Sequence, residues 1–192
     1  MTTEIRLAGT GGQGVILASV ILAEAAGVHE GRQVVQTQSY GPEARGGASR
    51  ADVIISDAPI LFPKSRRLDL LVCLSQQAAD KYFDDLKQRG TAITDSFYVR
   101  SCPRENAICL PLAETARAEL GRELFTNIIM LGAVARVSGV VKLPSLELAV
   151  ANRAPASTLE LNRKALAICL PLAETARAEL GRELFTNIIM LG

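Results

Sequence analysis

The sequence predicts an α/β fold in three layers, a Rossmann-like α/β/α arrangement around a mostly parallel sheet. Hydrophobic residues make up 48% of the 192 residues but aromatic ones only 4%, so the apolar mass is aliphatic. Aliphatic runs alternate along the chain with helical patterns, which is typical of strands that are buried on both faces. A glycine-rich segment directly follows the first apolar run, as in folds where such a loop joins a strand to a helix.

The elements follow from the periodicity in chain order. Short apolar or alternating runs predict strands at residues 4–8, 33–38, 51–56, 69–75, 91–95 and 107–110. Longer runs with helical spacing predict helices at 15–26, ending at Gly27, at 76–88, ending before Gly90, and at 112–120, 124–137, 145–151 and 157–165. The first helix has only Ser19 and Glu24 as polar residues, so we expect it to be buried on more than one side.

A perfect repeat separates the chain into two parts. Residues 107–132 and 167–192 share the same letters, AICLPLAETARAELGRELFTNIIMLG, whereas their flanks differ. Structural repeats diverge in sequence and require about three or more units for stability. We therefore expect a functional domain over 1–166 and, over 167–192, an extraneous appended copy of 107–132. The copy is predicted to be peripheral or poorly ordered, and its removal is predicted not to lower stability.

Charge and cysteine usage exclude several classes. Lys and Arg number 21 against 20 Asp and Glu, which does not suit a nucleic-acid binder. No uncharged apolar run reaches membrane-spanning length, and Glu4 and Arg6 interrupt any signal peptide, so a cytoplasmic protein is predicted. The lone His29 follows a helix end, where it suits the helix dipole better than catalysis. The four cysteines do not have the spacing of a metal site, so none of them is predicted to be a metal ligand. They are Cys73, Cys102, Cys109 and Cys169.

The first glycine-rich loop has the spacing G-x-G-x-x-G at Gly9, Gly11 and Gly14. Between a strand and a helix this pattern binds the pyrophosphate of a dinucleotide. A dinucleotide fold also needs an acidic residue at the end of the second strand, and residues 36–40 supply none. The phosphate-binding Gly-Lys-Ser/Thr sequence is also missing from the loop, which excludes a nucleoside-triphosphate loop.

The second glycine-rich loop spans residues 38–49. Gly41 and Pro42 predict a turn, and Gly46 and Gly47 permit a close approach of the backbone to another group. We expect both loops at the carboxyl ends of adjacent strands, where open α/β sheets bind ligands. A solvated surface loop explains its composition equally well.

These two motifs carry a resemblance. The sequences GTGGQGV at 9–15 and QSYGPEARGG at 38–47 resemble those of gamma subunits of 2-oxoacid:ferredoxin oxidoreductases, and the similarity covers residues 3–166. Gly46-Gly47-Ala48-Ser49 is most similar to the 2-oxoglutarate or 2-ketoisovalerate type. A related family, the small subunit of indolepyruvate ferredoxin oxidoreductase, shares this domain and remains an alternative.

The resemblance implies an accessory subunit that is inactive alone. The complete enzyme would convert a 2-oxoacid, here 2-oxoglutarate, and coenzyme A to acyl-CoA and CO2, with two electrons passed to ferredoxin. Thiamine diphosphate, Mg and iron–sulfur clusters would belong to alpha and beta subunits and to a ferredoxin-like cluster subunit or domain. This chain has no Gly-Asp-Gly signature of a thiamine diphosphate site, so we expect it to bind none of these groups by itself.

The candidate site residues all belong to the two loops, and none is expected to be catalytic. They are predicted to bind a ligand or to form a subunit interface, with Arg45 suited to a carboxylate or phosphate. The set comprises Gly9, Gly11, Gly12, Gln13, Gly14, Ser39, Tyr40, Gly41, Pro42, Glu43, Arg45, Gly46 and Gly47. Two other functions remain open, a stand-alone dinucleotide-binding oxidoreductase and a noncatalytic scaffold.

Overall fold

The computed structural model describes residues 1–39, 48–104 and 107–180, with 170–180 as backbone alone. The strands are β1 (Thr2–Thr10), β2 (Gln33–Ser39), β3 (Ala48–Ser56), β4 (Leu68–Cys73), β5 (Leu86–Asp95) and β6 (Ile108–Leu110). The helices are α1 (Val15–Glu24), α2 (Gln76–Tyr82), α3 (Leu112–Leu120), α4 (Thr126–Ser138), α5 (Leu143–Arg153) and α6 (Leu159–Leu180).

The strands form one sheet in the order β2-β3-β1-β4-β5-β6. β1, β4, β5 and β6 pair in parallel, whereas β3 is antiparallel to both β1 and β2. Among the strands of the described residues, five of six therefore run in one direction, and β3 runs against them. The predicted α/β class with a mostly parallel sheet is confirmed.

Alternate residues of the strands pack on opposite faces. Ile5 and Leu7 belong to the larger core, which α1, α3, α4, α5 and α6 cover. Ala8 and Cys73 belong to a smaller core on the other face, which α2 covers. This two-sided burial gives three layers and explains the continuous aliphatic runs.

The first helix does not end at Gly27. After α1 the chain continues as a wider, π-helical turn over Ala25–His29, and it reverses direction at Gly31, whose φ is 68°. Ala25 and Ala26 are fully buried against the core, so packing carries the helix past the predicted end. The prediction identified the helix but misplaced its last turns.

The helix predicted for 76–88 is also shorter than expected. α2 ends at Tyr82, and β5 already begins at Leu86 and passes through Gly90. The pairing of β4 with β5 shifts register between Leu68 and Leu70, and a Cβ on Gly90 would lie 2.9 Å from the Leu68 carbonyl oxygen. Gly90 therefore permits a close approach of two strands, and it does not end a helix.

Helix α6 crosses the start of the appended copy without a break. It continues through residues 167–180, and the side chain of Cys169 is fully buried. A Cβ on Gly132 of α4 would lie 2.9 Å from the Cys169 Cβ, so the two helices are in close contact there. The division at residue 166 remains a prediction, and helix α6 itself shows no break there.

Candidate functional site

The first glycine-rich loop lies at the carboxyl end of β1 and leads directly into α1. Gly12 and Gly14 have positive φ values of 93° and 71°, which only glycine adopts without strain. Gly11 and Gly12 are exposed, and a Cβ on either would meet no atom within 4 Å. The backbone of the loop is therefore exposed to solvent at this edge of the sheet.

Gln13 braces the loop from inside. Its Oε1 accepts a hydrogen bond from the Thr10 N–H (2.8 Å), and its Nε2 donates to the Leu74 carbonyl oxygen (2.8 Å). A Cβ on Gly9 would clash with Gln13 Oε1, so a side chain at residue 9 would displace this amide. Gln13 therefore links the ends of β1 and β4, and the Thr10 N–H is not available to a ligand.

Asn127 closes the other side of the loop. Its Nδ2 donates to the Gly14 carbonyl oxygen at 3.4 Å, and a Cβ on Gly14 would lie 2.5 Å from the same Nδ2. Asn127 is 4% exposed on α4, so a buried amide holds the junction between the loop and α1. The glycine at position 14 is required both by its positive φ and by this contact.

The second loop ends beside the first and begins one strand away from it. Ser39, the exposed last residue of β2, pairs with Arg50, and Ala48 pairs with Thr10. The Ser49 hydroxyl also donates to the Gly9 carbonyl oxygen at 3.3 Å. The other predicted residues of this loop lie outside the described residues: Tyr40, Gly41, Pro42, Glu43, Arg45, Gly46 and Gly47.

One expectation about the loops is wrong. They follow β1 and β2, which are not adjacent, because the antiparallel β3 lies between them. A dinucleotide fold places its second strand parallel and next to the first, with the ribose-binding acid at its end. Here that position beside β1 belongs to β3, so the interpretation as a dinucleotide site loses its structural basis.

A cleft of about 320 Å³ separates the glycine loop from the start of α4, with Gly12, Gln13, Glu123, Leu124 and Thr126 along its walls. Glu123 accepts a 2.5 Å hydrogen bond from the Tyr98 hydroxyl, and it lies 3.4 Å from Arg117 Nε. The hydrogen bond to this carboxylate raises the pKa of Tyr98. An anchored carboxylate therefore faces the loop.

Asp95 fixes the element that carries Tyr98. Its carboxylate is fully buried and accepts hydrogen bonds from the Phe97 N–H (2.9 Å) and from the Ala113 N–H at the start of α3 (3.0 Å). Burial raises the pKa of this carboxyl. Asp95 thus has a structural role, joining the end of β5 to α3.

An apolar groove of about 180 Å³ continues from this cleft between α1, α4 and α5. Leu17 is 47% exposed and Leu124 is 67% exposed along it. The outward face of α1 is therefore uncovered in the isolated chain, and apolar side chains exposed next to one another are typical of protein interfaces.

Sequence reasoning missed the residues that support the loop. Gln13 was predicted as a site residue, but its role as a brace depends on Leu74, which is 61 positions away along the chain. Tyr98, Arg117 and Glu123 come from separate segments, and no local motif announces them. The one signal in the sequence is the position of Tyr98, which follows the carboxyl end of a strand.

The described residues show no converging set of metal ligands: no three His, Cys, Asp or Glu side chains among them are placed to hold a metal ion. Burial raises the pKa of Cys73 above its usual range, and that of Cys169 to about 11. An iron–sulfur cluster needs a converging set of cysteine ligands, and the described residues do not bring such a set together. Within the part of the chain that the structure describes, every helix is too short or too polar to span a lipid bilayer.

Curated relatives match most of the chain. It is 48% identical over 166 residues to the 2-oxoglutarate synthase subunit KorC of Methanocaldococcus jannaschii, which covers 84% of this chain and 89% of the relative. The KorC subunit of Methanothermobacter marburgensis is 46% identical over 84% of this chain and 91% of its own length. The predicted resemblance to a gamma subunit of the 2-oxoglutarate type is confirmed.

Solved structures agree. The gamma subunit of a keto/oxoacid ferredoxin oxidoreductase from Geobacter sulfurreducens matches with a TM-score of 0.83 and 45% identity, over 92% of this chain and 98% of that one. A 2-oxoglutarate:ferredoxin oxidoreductase from Magnetococcus marinus shares the fold, with a TM-score of 0.79, 21% identity, and coverage of 91% of this chain and 31% of that one. The family model described as pyruvate ferredoxin/flavodoxin oxidoreductase matches residues 4–168. The chain therefore belongs to the pyruvate ferredoxin/flavodoxin oxidoreductase family.

Proposed function

We propose that this chain is the gamma subunit of a cytoplasmic 2-oxoglutarate:ferredoxin oxidoreductase. The complex converts 2-oxoglutarate and coenzyme A to an acyl-CoA and CO2 and passes two electrons to ferredoxin. Thiamine diphosphate, Mg and iron–sulfur clusters supply the carbanion and electron-transfer chemistry from alpha and beta subunits and a cluster-bearing subunit or domain. This chain contributes a surface that packs against the subunits that carry these groups.

The single observation that carries the proposal is the exposed edge formed by the glycine loop, the cleft beside Glu123 and the apolar groove. The loop is held rigid by Gln13 and Asn127, yet Gly11 and Gly12 face outward with no side chain of their own. Leu17 and Leu124 continue this edge as exposed apolar surface. A rigid backbone beside uncovered leucines suits a neighbouring subunit better than a small ligand in solution.

The chemistry available at this edge is positioning. The first N–H groups of α1 have no partner within the helix, and they point toward the loop end. They can bind an anionic group or a carbonyl oxygen of a neighbouring subunit. Glu123 is held by Tyr98 and Arg117, so it offers a fixed negative charge across the cleft.

The second loop is proposed to complete the same edge, because its two ends lie beside Thr10 and Arg50. Arg45 would then meet the acyl acceptor or a neighbouring subunit. We expect Arg45→Ala to raise the apparent KM for coenzyme A or to prevent assembly of the complex. An unchanged complex with unchanged kinetics would contradict both roles.

The test of the function is reconstitution. The chain is co-expressed with candidate alpha, beta and cluster subunits, and 2-oxoglutarate- and coenzyme A-dependent reduction of ferredoxin is measured with and without it. We expect no turnover from this chain alone and full turnover from the complex. Oxidation of a substrate by the isolated chain with a cofactor of its own would overturn the proposal. Indolepyruvate as the preferred substrate of the complex would favour the alternative family.

A further inference from the structure

A second exposed surface lies at the opposite edge of the sheet, where residues 57–67 connect β3 to β4 across the start of β1. Leu61 at the tip of this loop is 94% exposed, and Phe62 beside it is 48% exposed. The glycine loop is at the other end of β1, so the two surfaces face different directions. The predicted site does not include this loop.

Hydrogen bonds and ion pairs anchor both ends of the loop. Glu4 Oε2 accepts hydrogen bonds from the backbone N–H groups of Arg66 (2.6 Å) and Arg67 (3.3 Å). Asp57 binds the N-terminal amino group (2.8 Å) and Arg32 Nε (3.1 Å). The apolar tip is therefore held out to solvent by a fixed frame, which lowers the conformational entropy lost on docking.

The rim of the loop is positively charged. Lys64, Arg66 and Arg67 are all exposed, and within the described ranges neither Lys64 nor Arg67 forms an ion pair. Arg66 lies 4.3 Å above the Phe62 ring. Glu4, the neighbouring carboxylate, is occupied by the loop backbone. Lys64 and Arg66 thus border the apolar tip, and Arg67 adds a third exposed cation to the loop.

A recess of about 460 Å³ lies under the tip, between the loop and the ends of β1 and β3. Ile54, Ile60 and Phe62 supply apolar walls. Lys64 and Arg66 also line the recess, together with Glu4, whose carboxylate is hydrogen-bonded to the loop backbone. A protruding side chain of a partner protein can fill this recess, whereas a flat lipid surface has no group that would enter it.

We propose that residues 59–67 dock on an acidic surface of a partner subunit, which inserts an apolar side chain into the recess. The proposal rests on the proposed function, since it assigns this surface to another subunit of the same complex. The chain then contacts its complex at both edges of its sheet. Charge complementarity orients the contact, and the buried tip supplies affinity.

The experiment compares variants in the co-expressed complex. Leu61→Asp places a charge on the apolar tip, Lys64→Glu with Arg67→Glu reverses the rim, and Leu148→Asp is the control because Leu148 is a 55% exposed leucine on α5. Affinity capture of a tagged chain and quantification of the co-purified subunits measure assembly. We expect at least a tenfold loss for both loop variants, none for Leu148→Asp, and wild-type circular dichroism for all three.

Full assembly of both loop variants overturns the docking surface and leaves the proposed function standing. An equal loss from Leu148→Asp also overturns it, because the effect is then not specific to the loop. Binding of the isolated wild-type chain, but not of Leu61→Asp, to vesicles of phosphatidylglycerol would assign the loop to a membrane surface and overturn the docking proposal. Failure of the wild-type chain to join the complex would refute the proposed function itself.

Discussion

Gly11 and Gly14 show why the glycines of one loop are not equivalent. Gly14 has a φ of 71° and contacts Asn127, whereas Gly11 has open space where a Cβ would lie. An alanine in the left-handed region costs about 1–2 kcal/mol before any clash is counted. The same motif therefore contains one glycine required by the fold and one available to a partner.

Gly14→Ala is expected to lower the free energy of unfolding by about 2 kcal/mol or more, from the positive φ and the displaced Asn127 amide. Gly11→Ala is the matched control and should change stability by less than about 0.5 kcal/mol. Urea denaturation of the two variants measures the difference. Equal stabilities would show that the loop geometry is misjudged.

Gln13 gives a second residue-scale prediction. Gln13→Ala removes the acceptor of the Thr10 N–H and the donor to the Leu74 carbonyl, so we expect a loss of about 1–3 kcal/mol. Gln13→Glu keeps the acceptor but brings a carboxylate oxygen toward the Leu74 carbonyl, so it should not restore stability. Hydrogen exchange at the Thr10 amide reports the brace directly. Unchanged protection of Thr10 in Gln13→Ala would contradict it.

At the scale of elements, Glu24 joins α1 to α5. It accepts hydrogen bonds from Asn152 Nδ2 (2.9 Å) and Arg153 Nε (2.6 Å), and these lower the pKa of the Glu24 carboxyl, the bond from Asn152 most. His29 at the end of the π-helical turn lies 4.0 Å from the same carboxylate, and its role at the helix dipole stays a prediction. The Glu24 carboxylate therefore joins the end of α1 to the end of α5.

The lowered pKa of Glu24 gives its contribution a pH dependence. The folded chain releases this proton more readily than the unfolded chain, so the stabilisation is complete above the unfolded pKa, near 4.5, and disappears as the pH falls through the lower folded value. Glu24→Gln should be less stable than the wild type at pH 7 and approach it below pH 4. Urea midpoints measured between pH 3 and pH 7 check this. A constant gap across that range would disprove the linkage.

The duplicated segment shows how context selects secondary structure. Residues Ile108–Leu110 form β6 and pair with β5, whereas the same letters at 168–170 continue helix α6. In the first copy β5 offers an open edge, and in the second a helix already runs up to the segment. Identical local propensities therefore lead to opposite structures, because neighbours decide between them.

Gly132 tests whether the second copy packs as the structure shows. A Cβ on Gly132 would lie 2.4 Å from Cys169 Sγ, so Gly132→Ala should destabilise the chain by about 1–3 kcal/mol through overpacking. Cys169→Ala removes that sulfur, so the double variant should recover part of the loss. A double-mutant cycle from thermal unfolding gives the coupling. A coupling of zero would show that Cys169 does not occupy this position.

At the scale of the whole molecule, the chain has uncovered apolar surface beside its glycine loop. Leu124→Asp in the groove is expected to reduce co-purification with the other subunits at least tenfold, while the monomer keeps its fold because Leu124 is 67% exposed. Leu148→Asp again provides the control. Capture of the full complex by Leu124→Asp at wild-type yield would show that the groove is not an interface.

The sequence by itself determined the α/β class, the mostly parallel sheet and the family. Hydrophobic periodicity is a local property of the chain, and each of the two glycine motifs is a short unbroken segment. It did not place β3 between β1 and β2, since strand order depends on which edges meet in space. Only the tertiary structure decided that Gln13 braces the loop and that Glu123 faces it, because these contacts join segments far apart in the chain. It also decided which copy of the repeated segment becomes a strand, for packing partners outweigh the small energies of intrinsic propensity.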